Sequence, residues 1–239
     1  MTQPTSPPTD ALPVLTGRVL GPDDVYIVRT LDGSDTIYNR ELGVTYHSIF
    51  GAVSESRHVF LQHGLLTKIG QSEISVLEIG FGSGLNAFLS YLFSIRYDIA
   101  VHYTGTEPFP IAMQLAEQLD YPGYLAYPEE REIFLRMHET DAFVSDKFHF
   151  RKLNTFQLPD EPGSFDCIFF DAFAPATQPG LWSVAVFTQL YQLLKPGGCL
   201  VTYSAQGQVR RDLIQAGFYV ERLSGPPGKR EMLRGTVGS

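Results

Sequence analysis

Residues 76–86 read VLEIGFGSGLN, an apolar run that ends in Glu78 and meets glycine at positions 80, 82 and 84. Glycine reaches backbone conformations that other residues avoid and carries no Cβ. A glycine-rich turn after a buried strand therefore lets a ligand approach the main chain. The stretch reads as strand, turn and helix, with ISVLEIG (74–80) as the strand and Leu85–Ile95 as an apolar helix. The same alternation continues downstream. Strands are expected at Ala100–Glu107, Lys147–Leu153, Phe165–Asp171 and Cys199–Ser204, and helices at Leu181–Leu194 and Val209–Ala216. Phe109 to about His138 is mostly helical, broken by Pro122 and Pro128. Phe218–Leu223 and Glu231–Val237 flank the turn signal GPPGK and read as an antiparallel hairpin. Alternating strands and helices imply an α/β fold whose mainly parallel sheet is covered on both faces. The expectation is a Rossmann-like sheet of seven strands that ends in the antiparallel hairpin.

Upstream, two short β-like runs between Val19 and Tyr38 flank LDGSD, where Asp32-Gly33 is a hairpin signal. SESRHVFLQHGL (54–65) reads as a helix that Ser54 caps and Gly64 ends. Three parts are expected: a disordered tail at 1–17, a hairpin-and-helix extension at 18–70, and the ligand-binding domain at 71–239 with a helical insertion at 109–145. The chain has 239 residues and is 44% hydrophobic, enough for a substantial core. No run of about 18 apolar residues occurs, so no membrane span is expected. No signal peptide opens the chain, and a cytoplasmic protein is expected. Cys167 and Cys199 lie in apolar runs outside any Cys-x-x-Cys pair and read as buried free thiols, with no metal site. A net charge of −8 argues against an overall basic field for nucleic acid. A local basic patch remains open at Arg210, Arg211, Arg222, Lys229, Arg230 and Arg234, with solvated surface charge as the alternative.

The spacing of the glycines discriminates between ligands. A P-loop needs a Gly-Lys-Ser/Thr ending, which is absent. A dinucleotide fingerprint is G-x-G-x-x-G, whereas here the third glycine falls at 84. The match is E-x-G-x-G-x-G, which resembles the first motif of S-adenosylmethionine enzymes. TGTEP puts Glu107 at the end of the second strand, where an acid accepts hydrogen bonds from ribose hydroxyls. LNTF puts Asn154 and Thr155 at the end of the third, near the adenine edge, with an ordinary loop cap as the alternative for Asn154. In FDCIFFDAFAP (165–175), Asp171 ends the fourth strand, and ligands of open α/β sheets bind outside such carboxyl ends. Its position resembles the Asp/Asn-Pro-Pro-aromatic element of amino-group methyltransferases, although it also suits a turn cap ahead of Pro175. An alkylamine with a pKa of about 10 costs about 4 kcal/mol to deprotonate at neutral pH. A carboxylate can orient the ammonium and help remove its proton, with Phe173 completing the pocket. Trp182 and Phe187 read as core.

YHSIFGAVSESRHVF (46–60), LEIGFGSGLN (77–86), FDCIFFDAFAPATQPGLW (165–182), LLKPGG (193–198) and QVRRDLIQAGF…GKREML (208–233) occur in that order. Over residues 18–237 the chain resembles the methyltransferase domain of the bacterial bifunctional enzyme that completes 5-methylaminomethyl-2-thiouridine in tRNA, and its stand-alone relatives. The resemblance implies the class I methyltransferase fold. It also implies transfer of one methyl from S-adenosylmethionine to an aminomethyl group on the wobble uridine, without the flavin oxidase activity. Asp171 matches the active-site aspartate. Glu78, Gly80, Phe81, Gly82, Gly84, Asn86 and Glu107 match the cofactor site, with Asp171 bordering it. Asn154, beside Thr155, stands where the bifunctional enzyme has Asp.

The partner so implied is the tRNA anticodon region, with no membrane. Association with upstream wobble-modification enzymes is a further expectation. Arg210, Arg211, Lys229 and Arg230 are candidates for phosphate contacts, and Tyr46, His47 and Phe173 for the pocket, with a structural role the alternative for His47. Two other functions stay open: a small-molecule N-methyltransferase, and a non-catalytic binding module of the same fold. Whether the insertion covers the cofactor or binds a partner also stays open.

Overall fold

The computed structural model describes residues 18–238, so the tail expected at 1–17 lies outside the described residues. A small antiparallel sheet comes first, made of β1 (Val25–Arg29), β2 (Asp35–Asn39) and β3 (Val44–Thr45) in that spatial order. Asp32 organises the β1–β2 turn. Its carboxylate accepts from Ser34 N, Ser34 Oγ and Thr30 Oγ1, and also from Ser54 N and Oγ. The turn thereby caps the helix that follows. That helix starts earlier than expected, at Ala52, as α1 (Ala52–Ser56) continued by a π-helical turn at Arg57–Gln62. Ser54 sits inside its first turn rather than at the cap, because Asp32 satisfies the free N–H groups from across the turn.

The main sheet runs through β4 (Glu73–Ile79), β5 (Ala100–Thr106), β6 (Ala142–Ser145), β7 (Phe148–Leu153), β8 (Phe165–Phe170), β9 (Leu194–Thr202), β10 (Tyr219–Ser224) and β11 (Glu231–Thr236). Their spatial order is β10-β11-β9-β8-β4-β5-β7-β6. The seven expected strands are all present, and an eighth, β6, joins at the edge by antiparallel pairing with β7. Its short run AFVS alternates exposed and buried positions at a sheet edge, which gives a weak sequence signal. Pairing from β7 through β5, β4 and β8 to β9 is parallel, while β11 runs antiparallel between β9 and β10. The strand order reverses between β4 and β8, the place where open α/β sheets bind ligands.

Helices α2 (Leu85–Tyr97), α6 (Val184–Leu193) and α7 (Gly207–Gln215) connect these strands. The insertion holds α3 (Met113–Ala116), α4 (Tyr121–Tyr124) and α5 (Arg131–Glu139). It braces the N-terminal hairpin: Asp120 N donates to Asp35 Oδ2 and Tyr124 O–H to the Asp32 carbonyl. Leu20, Val25 and Ile37 belong to the same buried cluster as Val76, Phe88 and Phe169, so the boundary expected at residue 70 does not separate two cores. Cys167 and Cys199 are buried free thiols on paired strands. Among the described residues no helix is long and apolar enough to cross a membrane.

Gly64 sits where the α1 segment presses on the sheet. A Cβ there would lie 2.4 Å from the Phe60 carbonyl oxygen, 3.0 Å from the Phe169 ring and 3.1 Å from Cys167 Sγ. Gly64→Ala is expected to lower the unfolding free energy by about 1–3 kcal/mol, the usual cost of overpacking, as read from urea denaturation.

Candidate active site

The three glycines after β4 answer to backbone geometry. Gly80, Gly82 and Gly84 have φ of 93°, 53° and 74°, all in the left-handed region. Close approach adds a second constraint. A Cβ on Gly80 would lie 2.8 Å from the Asp171 carbonyl oxygen, and one on Gly82 would lie 3.0 Å from the Tyr46 ring. Gly84 packs on Phe81 and on the half-buried His138 of α5. Glu107, just past β5, locks the turn: Gly82 N donates to its Oε2 at 2.8 Å and Phe109 N to its Oε1 at 2.9 Å. Burial raises the Glu107 carboxyl above its ordinary value against the pull of these two N–H groups.

Above the turn lies a cavity of about 550 Å³, within the range of small-molecule sites. Its floor is Gly80, Phe81, Gly82, Ser83 and Asp171, and Glu107 is on one side. Tyr46 and Phe173 meet edge to face, with ring centroids 5.1 Å apart. Trp182 fixes the Phe173 segment by donating from Nε1 to the Phe173 carbonyl at 2.7 Å, so this core residue also shapes the site. The small N-terminal sheet supplies the far wall through Asn39, Leu42 and the Tyr46–His47 pair that follows β3.

Behind the floor is a buried acid network. Glu78 is fully buried and accepts from Tyr103 O–H at 2.5 Å and from Asn86 Nδ2 at 2.8 Å. The other hydrogen of Asn86 Nδ2 reaches Asp171 Oδ2, also at 2.8 Å. Burial raises Glu78 to about 8 despite these donors. Asp171 is pushed well above the carboxylate range, first by burial and then by the charges of Glu78 and Glu55, while Asn86 and Lys229 oppose. His47 Nδ1 lies 3.9 Å from Asp171 Oδ2. Burial lowers His47 to about 4, so its imidazole is neutral at pH 7. Tyr121 O–H donates to Ser83 Oγ, and Ser83 Oγ lies 2.8 Å from His47 Nε2. Ser83 Oγ can donate to Nε2 or accept from it, and among the described residues His47 Nδ1 and Asn86 Oδ1 are buried without a hydrogen-bond partner.

Of the expected site residues, Tyr46, His47, Gly80, Phe81, Gly82, Glu107, Asp171 and Phe173 line the cavity. Glu78 and Asn86 lie one layer behind and reach it through Asp171. Gly84 turns the chain into α2 without lining the cavity. Asn154 and Thr155 do not line it. Asn154 is exposed and donates to Asp141 Oδ1, and Thr155 Oγ1 accepts from Gln157 N; Phe156 turns inward instead. Lys229 also departs from expectation: its ammonium points inward to Glu55 rather than outward. Arg222 and Arg234 pair with Glu231 and Glu221 across the hairpin. Among the described residues Arg210, Arg211 and Arg230 have no carboxylate partner, and all three lie at the carboxyl edge of β9. Asn39, Glu55, Ser83 and Gln178 escaped the sequence reading. Of these only Ser83 carried a signal, by sitting inside the glycine turn.

A switch-point cavity over a glycine turn, with one acid at the tip of the next strand and another facing it, defines a nucleoside-cofactor enzyme of the α/β class. Residues 118–238 match the S-adenosyl-L-methionine-dependent methyltransferase family, and the chain belongs to that family. Its cofactor is S-adenosylmethionine, and the glycine cradle, Glu107 and the unpartnered buried polar atoms fit such a group. The chain is 33% identical over 222 residues to the tRNA 5-methylaminomethyl-2-thiouridine biosynthesis bifunctional protein MnmC of Ectopseudomonas mendocina, covering 82% of this chain and 33% of that protein. It is 34% identical over 215 residues to the protein of the same name from Pseudomonas aeruginosa, covering 83% and 33%. The chain thus spans about a third of the length of these curated relatives. The crystal structure of MnmC2 from Aquifex aeolicus superposes with a TM-score of 0.72 at 25% identity, over 90% of this chain and 72% of that one.

The acid network sets a pH dependence of stability. In the unfolded chain Glu78 ionises near its ordinary value of 4.5, and in the folded protein only near 8. Folded protein therefore holds the proton between those values while unfolded chain has lost it, so this contribution is full below pH 4.5 and is lost as pH rises through 8. Asp171 and Glu107 shift in the same direction. Below pH 6.5 the depressed His47, His63 and His138 act in the opposite direction. Thermal melts between pH 6.5 and pH 8 are therefore expected to show the melting temperature falling as pH rises, and Glu78→Gln is expected to flatten that slope.

Proposed function

We propose that this methyltransferase acts on a primary amine bound at Asp171, and that the amine is the aminomethyl group of a tRNA wobble uridine. The observation that carries the reading is the Asp171 carboxyl at the cavity floor. It is buried beside the glycine cradle, and among the described residues only the Asn86 amide is bonded to it. Its remaining lone pairs are free for an ammonium. The names of the relatives support the tRNA acceptor, and a tRNA substrate implies a cytoplasmic reaction. Methyl transfer alone is assigned to this chain, with no flavin oxidase step.

S-adenosylmethionine, when bound, supplies a methyl carbon made electrophilic by the sulfonium. Glu107 is suited to the ribose hydroxyls, because each of its oxygens keeps one lone pair beyond the N–H it already accepts. The Gly80–Gly82 turn supplies main-chain contact at close range. The positive charge of the incoming ammonium favours the anionic form of Asp171, and that carboxylate holds the ammonium, takes its proton as the lone pair is used, and keeps the nitrogen in line about 3 Å from its target. Tyr46 and Phe173 wall the amine from water. Arg210, Arg211 and Arg230, at the carboxyl edge of β9 and outside the cavity lining, are suited to tRNA phosphates.

The test is labelled-methyl transfer to undermodified tRNA, with mass analysis of the digested nucleosides. Transfer to free amines and never to tRNA would establish a small-molecule enzyme instead. Asp171→Asn is expected to lower turnover by about 10²–10⁴-fold while cofactor affinity by calorimetry stays within a few-fold. Replacing Arg210, Arg211 and Arg230 by alanine is expected to weaken tRNA binding and to flatten the dependence of log affinity on log salt by about 0.7–0.9 for each phosphate no longer neutralised.

A further inference from the structure

Lys229 sits in the tip of the terminal hairpin, yet its ammonium is drawn inward. Its Nζ donates to Glu55 Oε1 at 2.6 Å and lies 3.9 Å from the centroid of the Tyr203 ring. Glu55 is buried, and its other oxygen accepts from Ser48 N, the residue after His47. Tyr203 O–H donates to the carbonyl of Ala172, the residue after Asp171. With the chain linking His47 to Ser48 and Asp171 to Ala172, and with His47 Nδ1 3.9 Å from Asp171 Oδ2, these contacts surround the catalytic centre from Lys229 through Glu55, Ser48, His47, Asp171, Ala172 and Tyr203. The hairpin tip is held there from two further sides. His58 Nε2 lies 2.7 Å from the Ser224 carbonyl oxygen, and Phe50 packs so closely on Gly228 that a Cβ there would lie 2.2 Å from its ring.

The charges in this cluster do not balance without Lys229. Facing Asp171 are Glu78 from β4, Tyr103 from β5, His47 from the loop after β3, Glu55 from α1, Tyr121 from α4 and Tyr203 from the end of β9. Three of the groups in this cluster are carboxyls, counting Asp171. The phenols are neutral at pH 7, and so is His47. Lys229 is a cation that acts on both Asp171 and His47.

We propose that Lys229 is a positioning residue of the catalytic centre, an internal counter-charge clamped between Glu55 and Tyr203 that favours the anionic form of Asp171 for the incoming amine. The role is inward and electrostatic, distinct from a phosphate contact at the rim. It rests on the amine-methylating reading only for the identity of the acceptor.

Two readouts test it. The first is isotope-edited infrared titration of the Asp171 carboxyl in the protein without substrate, with Asp171→Asn as the spectral blank. The second is the pH profile of kcat/KM for methyl transfer to undermodified tRNA. Lys229→Met is expected to raise the infrared midpoint and the acid limb together by about one pH unit or more. Lys229→Arg is expected to stay near wild type. Glu55→Gln, which removes a negative neighbour, is expected to lower both, and the neutral pair Glu55→Gln/Lys229→Met to return toward wild type. Glu55→Gln and the neutral pair keep the question answerable if Lys229→Met alone fails to fold. An infrared midpoint unmoved by these variants, or a rate lowered by one factor at every pH, would overturn the proposal. Absence of tRNA methylation by the wild type would sink the tRNA reading and leave the infrared result standing.

Discussion

The amide of Asn86 joins two acids that would otherwise repel each other across the centre of the molecule. It donates to Glu78 at the end of β4 and to Asp171 at the end of β8, the two strands between which the sheet reverses direction. Main-chain contact reinforces the link, since Asp171 N donates to the Ile79 carbonyl at 3.0 Å and Gly80 leaves space for the Asp171 backbone. A carboxyl this deeply buried needs donors, and a single planar amide with two hydrogens serves both acids from one place. The cofactor turn and the Asp171 carboxyl therefore hold a fixed separation, which an in-line displacement requires.

Around that centre the remaining elements act as supports. Glu107 closes the glycine turn from one side, and Trp182 pins the Phe173 segment from the other. The N-terminal sheet forms the far wall, and the insertion braces that sheet through Asp120 and Tyr124. Here the insertion has a structural use: its Tyr121 and His138 back the glycine turn.

Much of this was legible in the sequence because the relevant signals are local. Strand–glycine–helix spacing at 76–86, the acid after β5 and the acid after β8 each follow from short-range pattern; Glu107 and Asp171 line one cavity, and Glu78 lies one layer behind it. What escaped depends on distant partners. Asn154 had a favourable position after β7, but a neighbouring Asp141 on the β6 side takes its amide. Lys229 looked like one of several surface cations, and only the fold brings Glu55 beneath it. Ser54 fitted a cap by local chemistry, yet Asp32 occupies that role from a turn more than twenty residues upstream. Strand β6 is short and lies at an edge, so pairing rather than pattern defines it.

The ion pair between Glu55 and Lys229 spans 174 positions of the chain. Closing so long a loop adds only about 0.6 kcal/mol per doubling of its length. The link between Asn86 and Asp171 spans 85 positions, and the Glu107 lock on the cofactor turn spans 25. The nucleoside pocket and the charge balance beside it therefore rest on separate contacts. Loosening of the hairpin tip would uncouple the two, leaving a protein that holds its methyl donor yet idles.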